Sequence, residues 1–126
     1  MDERRRIESL EKRLRELYPN AGCSLNYRNA YELLVATVLS AQCTDERVNQ
    51  VTPALFRVCP TPKALEALSR EELEGLIRST GFYRNKAKSL QAACGILVKR
   101  YGGGVPDAME ELIALPGVAR KTANVV

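Results

Sequence analysis

The stretch from residue 115 to residue 126 reads Leu-Pro-Gly-Val-Ala-Arg-Lys-Thr-Ala-Asn-Val-Val. Pro116 and Gly117 favour a tight turn, since proline stops a helix and glycine tolerates positive φ. The residues after Gly117 predict a new helix that carries Arg120 and Lys121 in its first turn. A helix start presents unpaired N–H groups and a partial positive charge, so it suits an anion such as phosphate. Lys121 is suited either to clamping that phosphate or to acting as a nucleophilic amine.

Length and composition restrict the class of protein. The chain has 126 residues, 45% of them hydrophobic, which is enough for one domain with an apolar core but not for two. It contains no histidine, so no Ser–His or Cys–His nucleophile pair can form within it. Its four cysteines lack the spacing of metal ligands and favour a reducing, cytoplasmic compartment. No signal peptide is recognisable and no apolar run could span a bilayer, so no membrane association is expected.

The charge distribution is one-sided over a long segment. The formal net charge is only +4, but no Asp or Glu occurs between Gly75 and Pro106. The basic residues of this segment are Arg78, Arg84, Lys86, Lys88, Lys99 and Arg100. A segment of one sign suits a polyanion such as nucleic acid. A solvated helix face explains the charge equally well, and charge alone does not decide between the two.

Apolar periodicity and capping signals predict an all-α fold. Residues 1–20 are predicted to form an amphipathic helix, because their apolar positions recur every three or four residues. The run Leu33–Leu39 is apolar on every side, so it is expected at the buried centre of the fold. Pro53 is expected to break or restart its helix, since proline lacks the N–H and clashes with the preceding turn. Helix starts are predicted at Asn29, Thr44 or Asp45, Thr61 and Ser69, and helix stops at Gly81 and Gly102–Gly104.

Two further motifs place polar or aromatic side chains between helices. The string Ser-Ala-Gln-Cys-Thr-Asp, residues 40–45, ends the central helix and starts the next one. Its Gln42 is either a solvated connecting residue or a side chain that projects into a groove. The string Thr-Gly-Phe-Tyr-Arg-Asn-Lys-Ala, residues 80–87, puts Phe82 directly after a glycine. Phe82 is either a core residue or a wedge that unstacks base steps, and Tyr83 is expected in the core.

Together the three strings resemble the endonuclease III family of DNA glycosylases. Leu-Pro-Gly-Val-x-Arg-Lys-Thr-Ala is similar to the helix–hairpin–helix of that family, and residues 40–45 and 80–87 are similar to two more of its strings. The three occur in the family's order, and the similarity runs over the whole chain. The resemblance implies a helix–hairpin–helix DNA glycosylase fold. Its six-helix barrel would be incomplete here, covering residues 21–126 after the N-terminal helix of residues 1–20.

The resemblance also implies a chemistry on double-stranded DNA. The family removes oxidised pyrimidines and then cleaves the strand at the abasic site, so Lys121 is the expected Schiff-base nucleophile. Gln42 is expected to fill the gap left by an extruded nucleotide, and Phe82 to act as the wedge. The run Leu33–Leu39 contains no carboxylate, whereas the related adenine-removing glycosylases use a glutamate in their central helix. The DNA-binding residues implied are Gln42, Phe82, Asn85, Lys86, Gly117, Ala119, Arg120 and Thr122.

The chain departs from the family pattern in two ways. Ala119 stands where the hairpin has its second glycine. Alanine there costs about 1 kcal/mol if the position needs positive φ, and it is harmless if the position already lies in the helix, which we favour. The family's catalytic aspartate and the four cysteines of its [4Fe–4S] cluster would lie beyond Val126. We therefore expect the N-terminal portion of such an enzyme: a monomer that binds no cluster and has little glycosylase activity of its own. A monovalent cation at the hairpin is compatible with the pattern.

Two other classes of protein stay open. A non-catalytic helix–hairpin–helix module would bind DNA and use Lys121 only as a phosphate contact. A helical interaction protein with an incidental hairpin would show no salt-sensitive affinity for DNA, whereas a phosphate binder loses affinity as salt rises.

Overall fold

The fold is built from helices joined by short connections. The computed structural model describes residues 5, 7–10, 12, 25–40, 43–105 and 114–115, and within these ranges no strand occurs, which confirms the all-α class. The helices are α1 (Ala30–Leu39), α2 (Asp45–Val58), α3 (Pro62–Ala67), α4 (Arg70–Ile77), a 3₁₀ helix (Arg78–Thr80) and α5 (Tyr83–Tyr101). Residues 5, 7–10 and 12 are helical as well, and the predicted domain boundary near residue 20 lies outside the described residues. None of the described helices combines the length and the apolar character that a membrane span needs.

Side-chain caps start α1, α2, α3 and α4 at the residues that the sequence predicts. Each cap oxygen accepts a backbone N–H that the first helical turn leaves unpaired, a contribution of about 1 kcal/mol per cap. At α1 the Glu32 carboxylate accepts the backbone N–H of Arg28 at 2.9 Å, which fixes the path of the chain into the helix. The cap oxygens and N–H groups belong to Asn29 with Glu32, Thr44 with Arg47, Thr61 with Ala64, and Ser69 with Glu72.

Pro53 does not break α2, so this expectation from the sequence is wrong. The helix runs from Asp45 to Val58 with Pro53 inside it. Pro53 lies on the exposed face of α2, so the disrupted turn faces solvent. Burial of Val51 and Leu55 against the core offsets the cost of an interior proline, about 3 kcal/mol.

Helix α1 forms the centre of the core. Every residue from Tyr31 to Leu39 is buried, as the apolar run predicts. The Tyr31 ring meets Phe56 of α2 edge-on, with ring centroids 5.6 Å apart, and its hydroxyl donates to the Cys59 carbonyl at 2.8 Å. Leu10, from the N-terminal helical segment, is also buried in this core. Because α1 packs against both α2 and α5, its C-terminal end at Leu39 is a fixed point from which the next loop departs.

The described cysteines differ in accessibility, which yields a labelling prediction. Cys59 and Cys94 are buried, whereas Cys43 is partly exposed. Burial raises the pKa of Cys94 to about 12, and it also raises the pKa of Cys59. Because the thiolate is the reactive form, iodoacetamide at mildly alkaline pH should modify Cys43 and spare Cys59 and Cys94 in the folded chain. Peptide mass mapping measures the modification of each cysteine. Modification of Cys94 as fast as in denaturant would contradict its buried position in the core.

Candidate nucleic-acid interface

The turn between the 3₁₀ helix and α5 has an unusual backbone. Gly81 has φ 78° and ψ 155°, in a region that is essentially reserved for glycine. Phe82 follows with φ 47° and ψ 36°, and it is the one non-glycine residue with positive φ among the described residues. Such backbone strain persists only where the surrounding structure holds it, and it clusters at functional sites. The conformation of this turn therefore marks it as a candidate site.

Phe82 projects from the turn into solvent. Its exposed fraction is 64%, and among the described residues Val58, at 48%, is the other exposed large hydrophobic side chain. The sequence leaves two interpretations of Phe82 open, and this exposure excludes the core position. An apolar ring on a protruding turn has the geometry of a wedge that inserts between base steps, although the wedge role itself stays a prediction.

Two arginines flank Phe82 and share one aromatic ring. The guanidinium carbons of Arg78 and Arg84 lie 5.4 and 5.6 Å from the centroid of the Tyr83 ring. Both arginines are exposed, and no carboxylate of the described part of the chain pairs with either of them. Tyr83 packs against the edge of the core, so the core position expected for it is only partly realised. Its ring contacts both guanidinium groups at the residue that follows Phe82 in the chain, and their N–H donors are available to an anion.

The start of α5 adds a further feature to this surface. Asn85 is exposed in the first turn of the helix, which has no side-chain cap and no acidic residue. The unpaired N–H groups and the partial positive charge of the helix start therefore remain available. This position is compatible with the phosphate contact implied for Asn85, which stays a prediction.

Lys86 occupies a different environment from its basic neighbours. Only 7% of the residue is exposed. Its ammonium group donates to the carbonyls of Leu39 and Thr80, each at 2.9 Å. Burial lowers the pKa of Lys86 below its ordinary value, while the nearby Cys43 acts in the opposite direction. This placement does not favour the phosphate contact implied for Lys86, because the charge is directed into the protein.

The other predicted site residues lie outside the described part of the chain. Leu115, at the start of the predicted hairpin, is described and buried. The roles of the residues beyond it stay predictions, as does a monovalent cation at the hairpin. The predicted site residues outside the description are Gln42, Gly117, Ala119, Arg120, Lys121 and Thr122.

The described residues form no metal site. They contain no group of three or more His, Cys, Asp or Glu that could hold a metal ion. Cys59 and Cys94 are free thiols in the core, and Cys43 is a free thiol in the loop between α1 and α2. These cysteines do not fit a [4Fe–4S] cluster, whose irons need thiolates converging on one point.

Relatives of known family match nearly the whole chain. Residues 35–125 match the family model described as HhH-GPD superfamily base excision DNA repair protein. The chain is 63% identical to endonuclease III of Synechocystis sp. over 113 residues, which cover 90% of this chain and 52% of that protein. It is 44% identical to endonuclease III of Escherichia coli K12, and the match covers 100% of this chain and 59% of that protein. The chain thus spans about half the length of the curated relatives it matches.

Solved structures agree with the family match. The chain is similar to a non-covalent endonuclease III–DNA complex and to a trapped endonuclease III–DNA covalent intermediate, each with a TM-score of 0.76 and with 48% and 49% identity. These matches cover 99% of this chain and 58% and 59% of the solved chains. A thermostable thymine-DNA glycosylase shares the fold at a TM-score of 0.70 and 18% identity, covering 91% of this chain and 54% of that one. The resemblance to endonuclease III seen in the sequence is confirmed, and the chain belongs to the HhH-GPD superfamily of base excision DNA repair proteins.

Proposed function

We propose that the chain binds double-stranded DNA at a damaged pyrimidine or an abasic site, as part of a DNA glycosylase and abasic-site β-lyase. The observation that carries the DNA-binding part is the exposed Phe82 on a left-handed turn, flanked by Arg78 and Arg84. The phenyl ring opens the base stack, and the arginines hold the backbone beside it. The names of the relatives and of the solved complexes with DNA support the same assignment.

The chemical step is assigned to Lys121. Its neutral amine attacks C1′ of the extruded nucleotide, and the base leaves with the electron pair of the bond that breaks. The attached amine then loses a proton as the sugar ring opens at the C1′–O4′ bond, O4′ takes up a proton, and a Schiff base forms at C1′. That Schiff base acidifies a proton on C2′. Loss of that proton forms a C2′–C3′ double bond and breaks the C3′–O bond, so that the 3′ phosphate leaves with the electron pair. A lysine with its ordinary pKa of about 10.4 is almost wholly protonated at neutral pH, so the reaction needs a lowered pKa. Arg120 and the helix start are the proposed sources of the positive charge that lowers it.

The finer properties are proposals for the whole protein. From the family resemblance we propose oxidised pyrimidines as the class of lesion. We propose a monomeric state on the same ground. A [4Fe–4S] cluster is expected of full-length relatives. If a monovalent cation binds at the hairpin, residues around Gly117 would hold it, and it would supply positive charge to a DNA phosphate.

Replacing Phe82 with alanine tests the DNA-binding proposal. The parent chain should bind a duplex with a stable abasic-site analogue more tightly than the undamaged duplex. Phe82→Ala should weaken binding to the abasic duplex on the order of tenfold, because stacking of an aromatic ring on a base is worth about 1–3 kcal/mol. Binding to the undamaged duplex should change little. Fluorescence polarisation with labelled duplexes measures both affinities.

Val58 provides the matched control for this experiment. It is also exposed and apolar, but it lies at the end of α2 and outside the turn. Val58→Ala should leave both affinities unchanged. Equal affinity of the parent for the two duplexes would argue against recognition of the damaged site and favour a non-catalytic DNA-binding module. An affinity that does not fall as salt rises would favour a helical interaction protein.

A further inference from the structure

We propose that Lys86 is a positioning residue, whose buried ammonium group ties the end of α1 to the turn that carries Phe82. This inference rests on the proposed function, because the two segments it joins are those proposed to enter the DNA. It assigns Lys86 a different role from the phosphate contact that its place in a basic segment implies.

The geometry of the ammonium group is the first support. Its hydrogen bonds reach Leu39, the last residue of α1, and Thr80, the last residue of the 3₁₀ helix. Leu39 lies 47 residues from Lys86 along the chain, so the contact joins two distant parts of the fold. Thr80 is itself buried, and its hydroxyl donates to the Ile77 carbonyl at 2.7 Å. Both acceptor carbonyls therefore belong to buried residues whose backbone is fixed by packing and hydrogen bonds.

The electrostatics of this position are the second support. Helix ends present unpaired carbonyls and a partial negative charge, so two such ends together suit one buried cation. No carboxylate of the described residues pairs with Lys86. The two carbonyl groups therefore offset the cost of burying its positive charge. The lysine stem reaches them from α5, where the Lys86 N–H also bonds the Phe82 carbonyl at 3.0 Å.

The consequence concerns the relative placement of the two DNA-facing segments. Phe82 follows Thr80 after a single glycine, and Gln42 follows Leu39 after two residues. One ammonium group thus holds the backbone from which the wedge departs against the backbone that leads to Gln42. A preformed spacing between these two backbone positions reduces the cost of ordering the segments that follow them on the DNA.

Lysine acetylation of the unmutated chain tests the placement without DNA. A lysine-specific acetylating reagent should modify the exposed Lys88 and spare Lys86 in the folded chain, because a buried and hydrogen-bonded ammonium group is shielded. Adding duplex DNA should not change the modification of Lys86. If Lys86 is modified as readily as Lys88 and becomes protected by DNA, it contacts phosphate and the inference is wrong.

Tryptophan fluorescence tests the positioning effect. The chain has no tryptophan, so Phe82→Trp creates a single reporter at the wedge. Adding Lys86→Met should increase the fast local motion seen in the time-resolved anisotropy of that reporter, whereas adding Lys88→Met should not. An unchanged anisotropy decay in the folded Lys86→Met chain would overturn the inference even if DNA binding fails for other reasons. If Lys86→Met does not fold, the acetylation result alone decides.

The salt dependence of DNA binding separates positioning from phosphate contact. Lys86→Met should remove the preference for the abasic duplex while the salt slope of binding to undamaged DNA stays as in the parent. Loss of a phosphate contact would instead reduce that slope by about 0.9. A reduced slope with the abasic preference intact therefore refutes positioning. If the parent chain binds no DNA at all, the proposed function is wrong. The acetylation of the free chain and the anisotropy decay of the tryptophan reporter still test the placement of Lys86 in that case.

Discussion

A chain in which glutamine replaces Lys121 should form no covalent adduct with abasic DNA, whereas the parent chain should form one. Borohydride reduces the Schiff base between a lysine amine and the sugar to a stable secondary amine, so the adduct survives denaturing electrophoresis. Glutamine keeps much of the side-chain length but has no nucleophilic amine, so the loss should be complete. The measurement is the fraction of a labelled oligonucleotide with one abasic site that migrates as the adduct.

The control for this prediction is a lysine outside the proposed chemistry. Lys99 is exposed near the far end of α5, and Lys99→Gln should trap as well as the parent. An adduct that persists in Lys121→Gln would identify another amine as the nucleophile. A parent chain that binds abasic DNA without any adduct would favour the non-catalytic DNA-binding module, in which Lys121 contacts phosphate only.

Alanine at Gly81 should destabilise the chain, while alanine at Gly75 should stabilise it. An added Cβ would meet no atom within 4 Å at either position, so steric space does not distinguish the two sites. Gly75 lies inside α4, where alanine is favoured over glycine by roughly 0.5–1 kcal/mol. Gly81 has φ 78° and ψ 155°, and a side chain in that region costs about 1–3 kcal/mol.

Urea unfolding followed by circular dichroism measures both changes in the free energy of unfolding. Since Phe82 follows Gly81 directly, Gly81→Ala should also weaken the preference for abasic DNA, which Gly75→Ala should leave intact. Two variants of equal stability would show that the turn relaxes easily. In that case the surrounding structure would not enforce the left-handed backbone conformation of Phe82.

The helix caps show how much of the fold was predictable. The caps at Asn29, Thr44, Thr61 and Ser69 depend on a side chain and an N–H within three residues, so the pattern of residue types was sufficient. Pro53 was mispredicted because its local cost is offset by burial of neighbouring apolar residues, which a local pattern does not reveal.

The candidate site was only partly predictable. The basic segment contains Arg78 and Arg84. Nothing in the sequence distinguishes these two from its other basic residues as the pair that contacts the Tyr83 ring. The direction of each arginine side chain depends on the residue at which the 3₁₀ helix ends and the residue at which α5 begins. Whether Phe82 is wedge or core was open for the same reason, since its direction follows from positive φ at two successive residues.

Local signals along the chain were therefore enough for the helical class, the helix starts and the family resemblance, because each depends on neighbours within a few residues. The position of Lys86 required the tertiary structure. Its two acceptors belong to the ends of different helices, and one of them lies 47 residues away. A cation in a basic segment is exposed unless packing brings unpaired carbonyls to it, and here the ends of α1 and of the 3₁₀ helix, both packed against α5, bring them.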